Sequence, residues 1–396
     1  MPRKAAPGAG TIRKKTITRG GKEYTYWEAR YTEGTDPGSG KQIQRSITGK
    51  TQKEVSQKLK AATASIDQGT YITPSKMTVG EWLDIWQRDY LGGVKAYTAA
   101  TYKSNIENHI KPAIGSIRLE ALNAHTIQEF YNSCKAVLDK KKPLSPKTIK
   151  NIHGVLHTAL QKAVSIGYLR FNPATACTLP RYQRPEIKPL DEEQSKAFLR
   201  AIKGHRFETL FTVTLFTGMR EGEVLGLQWD CVDFKSGTIL INKQLQKDRT
   251  NGGVYVLVPA KNSKGRTITP APWVMQLLRS HRARQAAQRL RAGEAWEDSG
   301  LVFTDALGRH LVTYTVYTDY KDVVASIGCP SSRFHDLRHS YAVAAIRSGD
   351  DIKTVQGNLG HATAAFTLDV YGHVTDQMKQ ASAARMEAYI KDVLGQ

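Results

Sequence analysis

Arg333-Phe334-His335-Asp336-Leu337-Arg338-His339-Ser340-Tyr341 leads, through an apolar segment, to Asn358-Leu359-Gly360-His361 and then to Thr367-Leu368-Asp369-Val370-Tyr371-Gly372-His373. His335, Leu337, Arg338 and Val343 are spaced for a helix, which sets His335 and Arg338, three apart, on one face. An imidazole beside a guanidinium is suited to phosphate: the arginine offers a fixed fork, and the histidine a donor that can also move a proton. A second imidazole, His361, follows a Leu-Gly turn, and Tyr371 stands ten positions later. Cationic donors for phosphate together with a hydroxyl nucleophile predict phosphoryl transfer through a phosphotyrosine. Any one of these residues alone is ordinary; the set carries the reading. A metal centre is the competing use of His335, His339, His361 and His373. No cysteine or carboxylate completes a familiar zinc spacing, and the neighbouring arginines would repel a cation, so no metal is expected.

His335-x-x-Arg338, Leu359-Gly360-His361 and Tyr371 resemble the C-terminal signature of the tyrosine recombinase (phage integrase) family. Thr217-Gly218-Met219-Arg220-Glu221-Gly222-Glu223-Val224-Leu225-Gly226-Leu227 resembles the family's first arginine box. The motifs stand in the family's order, and the resemblance spans roughly residues 75–396. The Leu-Asp-Val-Tyr-Gly-His-Val ending and the basic front segment look most like integrases of conjugative transposons. The fold this resemblance implies is multidomain and mainly α. It has a small N-terminal β-sheet plus helix that binds arm sites, a helical core-binding domain, and a mixed α/β catalytic domain.

Composition points the same way. The chain has 396 residues, 40% apolar and 23% charged, as expected of two or three folded domains. Its formal net charge of +21 calls for a polyanionic partner, with double-stranded DNA preferred to a membrane because no long apolar run is present. Cys134, Cys177, Cys231 and Cys329 show no paired spacing, and the basic N-terminus is followed by no apolar core. A reducing cytoplasm, in association with the nucleoid, is the expected location.

Residues 1–76 hold 15 Lys and Arg against 6 Asp and Glu. Thr11–Thr18, Tyr24–Thr32 and Lys41–Thr48 read as three strands, with Gly20-Gly21 at the first turn. Thr51–Gln68 reads as a helix over their apolar face. Tyr24, Tyr26, Glu28 and Arg30 share one face of the middle strand. With Arg13 and Lys14 they form a candidate DNA-binding surface, against the plainer reading of solvated charges. The pattern after Thr78 is helical, in segments Thr98–Ile110, Thr126–Leu138 and Ser145–Ile166. Residues 77–182 hold 14 basic and 7 acidic side chains. Lys95, Tyr97, Thr98, Thr101, Lys103, Lys147 and Lys150, at helix starts or beside polar faces, are candidate phosphate contacts. A proline-rich basic linker from Asn172 to Pro189 leads to residues 183–396, with 28 basic and 23 acidic side chains. That smaller excess implies that phosphate chemistry is concentrated in one site. Thr238–Lys243, Val254–Pro259 and Arg266–Pro270 are expected to form one antiparallel sheet.

The phenol of Tyr371 has an ordinary pKa of about 10 and must lose its proton as it attacks. Arg220 and Arg338 are assigned to the non-bridging oxygens, where a guanidinium grips two at once and a lysine would not. The leaving 5′-oxygen needs an acid. Lys261 matches the family's catalytic lysine in its β-turn, Lys264 is the alternative or a DNA contact, and Arg266 is a further DNA contact. His335 serves as acid or base, and His361 donates to phosphate. Tyr341 reads as core, Glu223 as orienting an arginine or capping the local helix, and His339 and His373 as structural or as supporting the site from just outside it. The phosphotyrosyl link conserves the bond energy, so no cofactor is expected. The resemblance also implies a tetramer in the recombination synapse, with an excisionase and a DNA-bending protein as accessory partners. Two other readings stay open: a type IB topoisomerase-like nicking-closing enzyme, and a DNA-binding regulator without catalysis.

Overall fold

The computed structural model describes the chain apart from residues 1–9, 37, 69–70, 72–75, 136–142, 184–187, 249–251, 261–264, 361–374 and 396. The chain divides into two compact units, Met1–Gln183 and Arg184–Gln396.

In the first unit, strands β1 (Thr11–Arg19), β2 (Lys22–Thr35) and β3 (Gln42–Gly49) form an antiparallel meander. Arg19 pairs with Lys22 across Gly20 and Gly21, whose φ values of 57° and 77° suit the two-residue turn that matches strand twist. Helix α1 (Gln52–Asp67), capped by Thr51, lays Val55 and Leu59 against Ala29 and Tyr31 of β2.

The register separates two residues that the sequence reading grouped together. Arg13 lies opposite Glu28 and Lys15 opposite Tyr26, whereas Lys14 lies opposite Trp27. Side chains alternate along a strand, so Lys14 is on the helix-covered face and Lys15 belongs with Arg13, Tyr24, Tyr26 and Arg30. Lys14, although exposed, therefore does not share a strand face with Arg13, Tyr24, Tyr26 and Arg30.

Helices α2 (Val79–Asp89), α3 (Ala96–Asn105), α4 (Lys111–Ile114), α5 (Ala124–Ser133) and α6 (Pro146–Ser165) enclose a second core that includes Trp82, Trp86, Ile110, Ile127, Tyr131, Ile152 and Leu156. Polar caps start three of them: Thr78 with Glu81 in a capping box, Asn123 and Ser145. The predicted single helix to Ile110 is interrupted. Ile106–Ile110 forms a π turn between α3 and α4. Pro112 lacks the N–H that an α-helical ladder would give to Asn108, and the wider turn keeps Ile106, Ile110 and Ile114 all buried.

The second unit begins with α7 (Glu192–Ala201), capped by Asp191, followed by α8 (Glu208–Thr217) and α9 (Glu221–Leu225). The single predicted sheet is two. Strands β4 (Val232–Asp233), β5 (Thr238–Ile241) and β8 (Arg266–Ile268) form one, and β6 (Lys243–Asp248) pairs with β7 (Val254–Pro259) in the other. A strand at Lys243–Asp248 was not foreseen; β6 supplies β7 with an immediate hairpin partner, and short-range pairing closes at lower entropic cost. Helices α10 (Pro272–Ala292), α11 (Thr313–Ser326), α12 (Asp336–Arg347) and α13 (Ile352–Leu359) follow. The last helix, α14 (Thr375–Leu394), exposes every side chain from Ser382 onward, including Met386, Tyr389, Ile390 and Val393. No helix among the described residues is long and apolar enough to cross a membrane.

Candidate active site

Helix α8, built mostly of apolar residues and threonines, is largely buried, with Leu210, Phe211 and Val213 at most 1% exposed. It ends at Gly218, whose φ of +64° is left-handed. A Cβ there would lie 2.4 Å from Tyr341 Cδ1 and 2.7 Å from Leu359 Cδ2, so glycine is required twice over. This reversal turns the Gly218 carbonyl toward α12 and sets Arg220 at the start of α9, where the Glu223 carboxylate accepts from the Arg220 backbone N–H at 2.9 Å.

Helix α12 begins just after His335. Asp336, buried at its first turn, accepts from the Arg333 backbone and guanidinium. Lys321 and Tyr320 of α11 hold the preceding loop through the Pro330 and Ser332 carbonyls and the Ser332 hydroxyl. The N-terminus of α12 is therefore fixed from both sides, and it carries His335 and Arg338.

Three arginines from three elements converge on the end of α13. Arg266 Nε of β8 donates to the Asn358 carbonyl at 2.7 Å. Arg338 donates from Nη2 to the Leu359 carbonyl and from Nη1 to the Gly218 carbonyl, the latter at 2.7 Å. Arg220 Nη2 donates to the Gly360 carbonyl at 3.2 Å. The last carbonyls of a helix lack partners within it and carry the negative end of its dipole, which makes them good acceptors for cations. Because the three acceptors are consecutive residues, with successive Cα atoms about 3.8 Å apart, the guanidinium groups are necessarily close neighbours. Gly360, with φ of +62°, ends the helix immediately before residue 361.

Glu223 is the counter-charge. It lies 2.7 Å from Arg220 Nη1 and 2.7 Å from Arg266 Nη2, with Arg266 Nη1 at 3.0 Å. Its burial alone would raise its pKa, but the hydrogen bonds and charges of Arg266 and Arg220 prevail and bring it down to about 2. One carboxylate thus bridges two guanidinium groups, those of Arg220 and Arg266, while Arg338 holds the neighbouring Leu359 carbonyl. Crowding by protein, and then His339, Arg338 and Arg220, push the His335 imidazole below its ordinary value. One side of His335 remains open to solvent. The His339 ring meets it edge-on at 5.0 Å and is itself buried. Both imidazoles are neutral at pH 7, a state in which His335 can accept a proton.

The structure brings Arg220, His335 and Arg338 together as the sequence predicts. Lys261, Lys264, His361 and Tyr371 lie outside the described residues. Glu223 orients Arg220, as expected. The half-buried Tyr341 accepts a hydrogen bond from Asn358 Nδ2 at 3.1 Å, consistent with a packing residue. Arg266 is a correction. It was expected on DNA, but Nε, Nη1 and Nη2 are all engaged inside the protein, and its side chain is only 13% exposed. A β8 residue whose partners lie 43 and 92 positions away cannot be assigned an inward direction from local sequence.

Among the expected DNA contacts, Lys95 stands at the N-cap of α3, and Tyr97, Lys103 and Lys147 are exposed, while Thr98, Thr101 and Lys150 are half-buried. Neither α3 nor α6 has an acidic residue in its first turn. On the open face of the N-terminal sheet, Arg13, Lys15 and Arg30 surround Glu28 at 2.6, 3.5 and 3.6 Å, with Tyr24 exposed beside them. Lys15 was not singled out from the sequence, although its spacing of two from Arg13 signals a shared strand face.

Comparison with known proteins is consistent along nearly the whole chain. Residues 188–378 match the phage integrase family, and residues 78–134 match the phage integrase N-terminal SAM-like domain. A XerC-like tyrosine recombinase of Caldanaerobacter subterraneus subsp. tengcongensis is 29% identical over 385 residues, covering 93% of this chain and 96% of the relative. The Tn1549 transposon integrase, solved in complex with a circular intermediate DNA, superposes with a TM-score of 0.65 at 22% identity, covering 78% of this chain and 99% of that one. A lambda integrase tetramer bound to a Holliday junction gives 0.53 at 18% identity, over 91% and 97%.

Proposed function

The chain belongs to the phage integrase family and is a tyrosine site-specific recombinase; from this premise we propose that it excises and integrates a mobile element of the conjugative-transposon type. The observation that carries the chemistry is the convergence of Arg220 and Arg338 on consecutive carbonyls next to a neutral His335. That cluster directly precedes the segment containing His361 and Tyr371.

In the proposed reaction the Tyr371 oxygen attacks the scissile phosphorus. A P–O bond to tyrosine forms, and the P–O5′ bond breaks. The tyrosine proton passes to a base, a role open to His335, and the 5′-oxygen takes a proton from Lys261. The product is a 3′-phosphotyrosyl link and a free 5′-hydroxyl, and attack by a 5′-hydroxyl from the partner strand reverses the step. Arg220, Arg338 and His361 bind the non-bridging oxygens, where each fixed donor lowers the barrier by about 3–4 kcal/mol by analogy with oxyanion sites. Arg338 is 1% exposed, so a phosphate reaches it only after local movement, and then meets it in a water-poor setting where the charge pair is strong.

We assign residues 1–76 to arm-site DNA, 77–182 to core DNA and 183–396 to catalysis. Cations at the positive ends of α3 and α6 are unfavourable by themselves, and a phosphate placed there would relieve that repulsion. The unpartnered apolar side chains of α14 support assembly into a tetramer through a neighbouring copy. An excisionase and a DNA-bending protein complete the proposed assembly, in the cytoplasm in association with the nucleoid.

The test is a nicked duplex whose cleavage releases a short fragment and traps the covalent complex. Wild-type protein should form an adduct at Tyr371, and Tyr371→Phe should bind the duplex without forming one. An adduct that persists in Tyr371→Phe refutes the assignment. Relaxation of supercoiled DNA without paired sites would point instead to a nicking-closing enzyme.

A further inference from the structure

Arg266 belongs to no phosphate-binding role, yet it touches everything around one. Its Nη1 and Nη2 grip both oxygens of Glu223, whose other partner is Arg220, and its Nε holds the Asn358 carbonyl at the end of α13. It opens β8, where it pairs with Ile241, and stands five residues after Lys261. Gly360 packs against it so closely that an added Cβ would come within 3.0 Å of Arg266 Cδ. Three separate segments therefore meet on one guanidinium: that of Arg220, the strand that follows Lys261, and the helix end that precedes His361.

We propose that Arg266 is a positioning residue that sets the spacing of these three segments and so aims Arg220 at the scissile phosphate. This inference rests on the reading of Arg220 as a phosphate ligand. The planar fork is what the position requires. Two parallel bonds to a carboxylate plus a third to a carbonyl in a different direction use three separate nitrogens, which a lysine ammonium on a flexible stem cannot reproduce. Lysine would keep the charge beside Glu223 and so preserve most of the fold's electrostatics, while releasing the end of α13. A displacement of about 1 Å in a group that must meet a transition state costs on the order of 100-fold in rate.

The experiment is single-turnover cleavage of the nicked duplex by the full chain at saturating DNA, for wild type, Arg220→Lys, Arg266→Lys and the double variant. Rate constant and amplitude are read separately, because the amplitude reports the fraction of correctly folded protein and the rate constant its site geometry. Arg266→Lys should lower the rate constant by about 10- to 100-fold, with duplex affinity unchanged within about twofold and amplitude retained. The double variant should be no more than about threefold slower than Arg220→Lys, since the two act through one guanidinium. A loss of amplitude at unchanged rate constant would make Arg266 merely structural and overturn the proposal. Independent, multiplicative losses in the double variant would overturn it as well, as would a tenfold weakening of affinity, which would return Arg266 to DNA. Should Arg220→Lys itself cleave at the wild-type rate, the phosphate assignment of Arg220 fails. If only Arg266→Lys does so, the positioning role alone fails.

Discussion

Replacing Glu223 by glutamine removes one negative charge from beneath two guanidinium groups and changes almost nothing else in shape. Glu223 is 1% exposed, so solvent does little to screen the loss. Folding lowers its carboxyl pKa from 4.5 to about 2, which corresponds to about 3 kcal/mol of stability at neutral pH. Breaking a buried ion pair from one side gives a similar figure, about 3–5 kcal/mol. The contribution has a defined pH window. It is fully present above pH 4.5, where the unfolded carboxyl is already ionised, and is lost as pH falls from there toward 2. Wild type should therefore exceed Glu223→Gln by the full margin at pH 6, and that margin should narrow by about 2 kcal/mol at pH 3. Urea unfolding read by hydrogen exchange in peptides spanning Leu210–Leu225 follows this part of the chain alone. Other carboxylates titrate in both proteins and cancel in the difference. A margin that stays constant within about 0.5 kcal/mol between the two pH values would refute the account of Glu223 as the electrostatic keystone.

Gly218→Ala should destabilise the second unit by about 3 kcal/mol, combining about 1–2 for left-handed backbone with about 1–3 for the collision with Tyr341; thermal unfolding measures it, and a neutral effect would contradict the geometry. The second-order rate constant for cleavage at limiting DNA should hold level from pH 7 down through the ordinary histidine range near 6.5 and fall only below it, because the His335 pKa is lowered and its neutral form persists there. A decline centred at 6.5 would show an unperturbed imidazole. Lys15→Ala should weaken binding to an arm-site duplex and reduce the salt slope by about 0.9, while Lys14→Ala should leave both nearly unchanged. The reverse order would mean that the sheet presents its other face.

Local rules made much of the architecture legible. Thr51, Thr78 and Ser145 announce their helices because a side-chain oxygen can satisfy an amide three residues on without help from elsewhere. Gly20-Gly21 and the alternation in β2 similarly foretold a hairpin and its two faces. The errors arose where the deciding partner was distant or competing. The single expected sheet overlooked β6 as the partner of β7, the π turn answered to burial of three isoleucines on either side of a proline, and Arg266 faced inward because of acceptors far along the chain.

By itself, the sequence determined the chemical inventory: the guanidinium, imidazole and phenol groups, their order, and the helices that carry several of them. Those follow from side-chain chemistry and from periodicities a few residues long. Tertiary structure alone decided that Arg220, Arg266 and Arg338 would meet at Asn358, Leu359 and Gly360 around one buried Glu223. That meeting depends on how packed elements present unpaired carbonyls and exclude water from a carboxylate, and neither property exists until distant segments have come together.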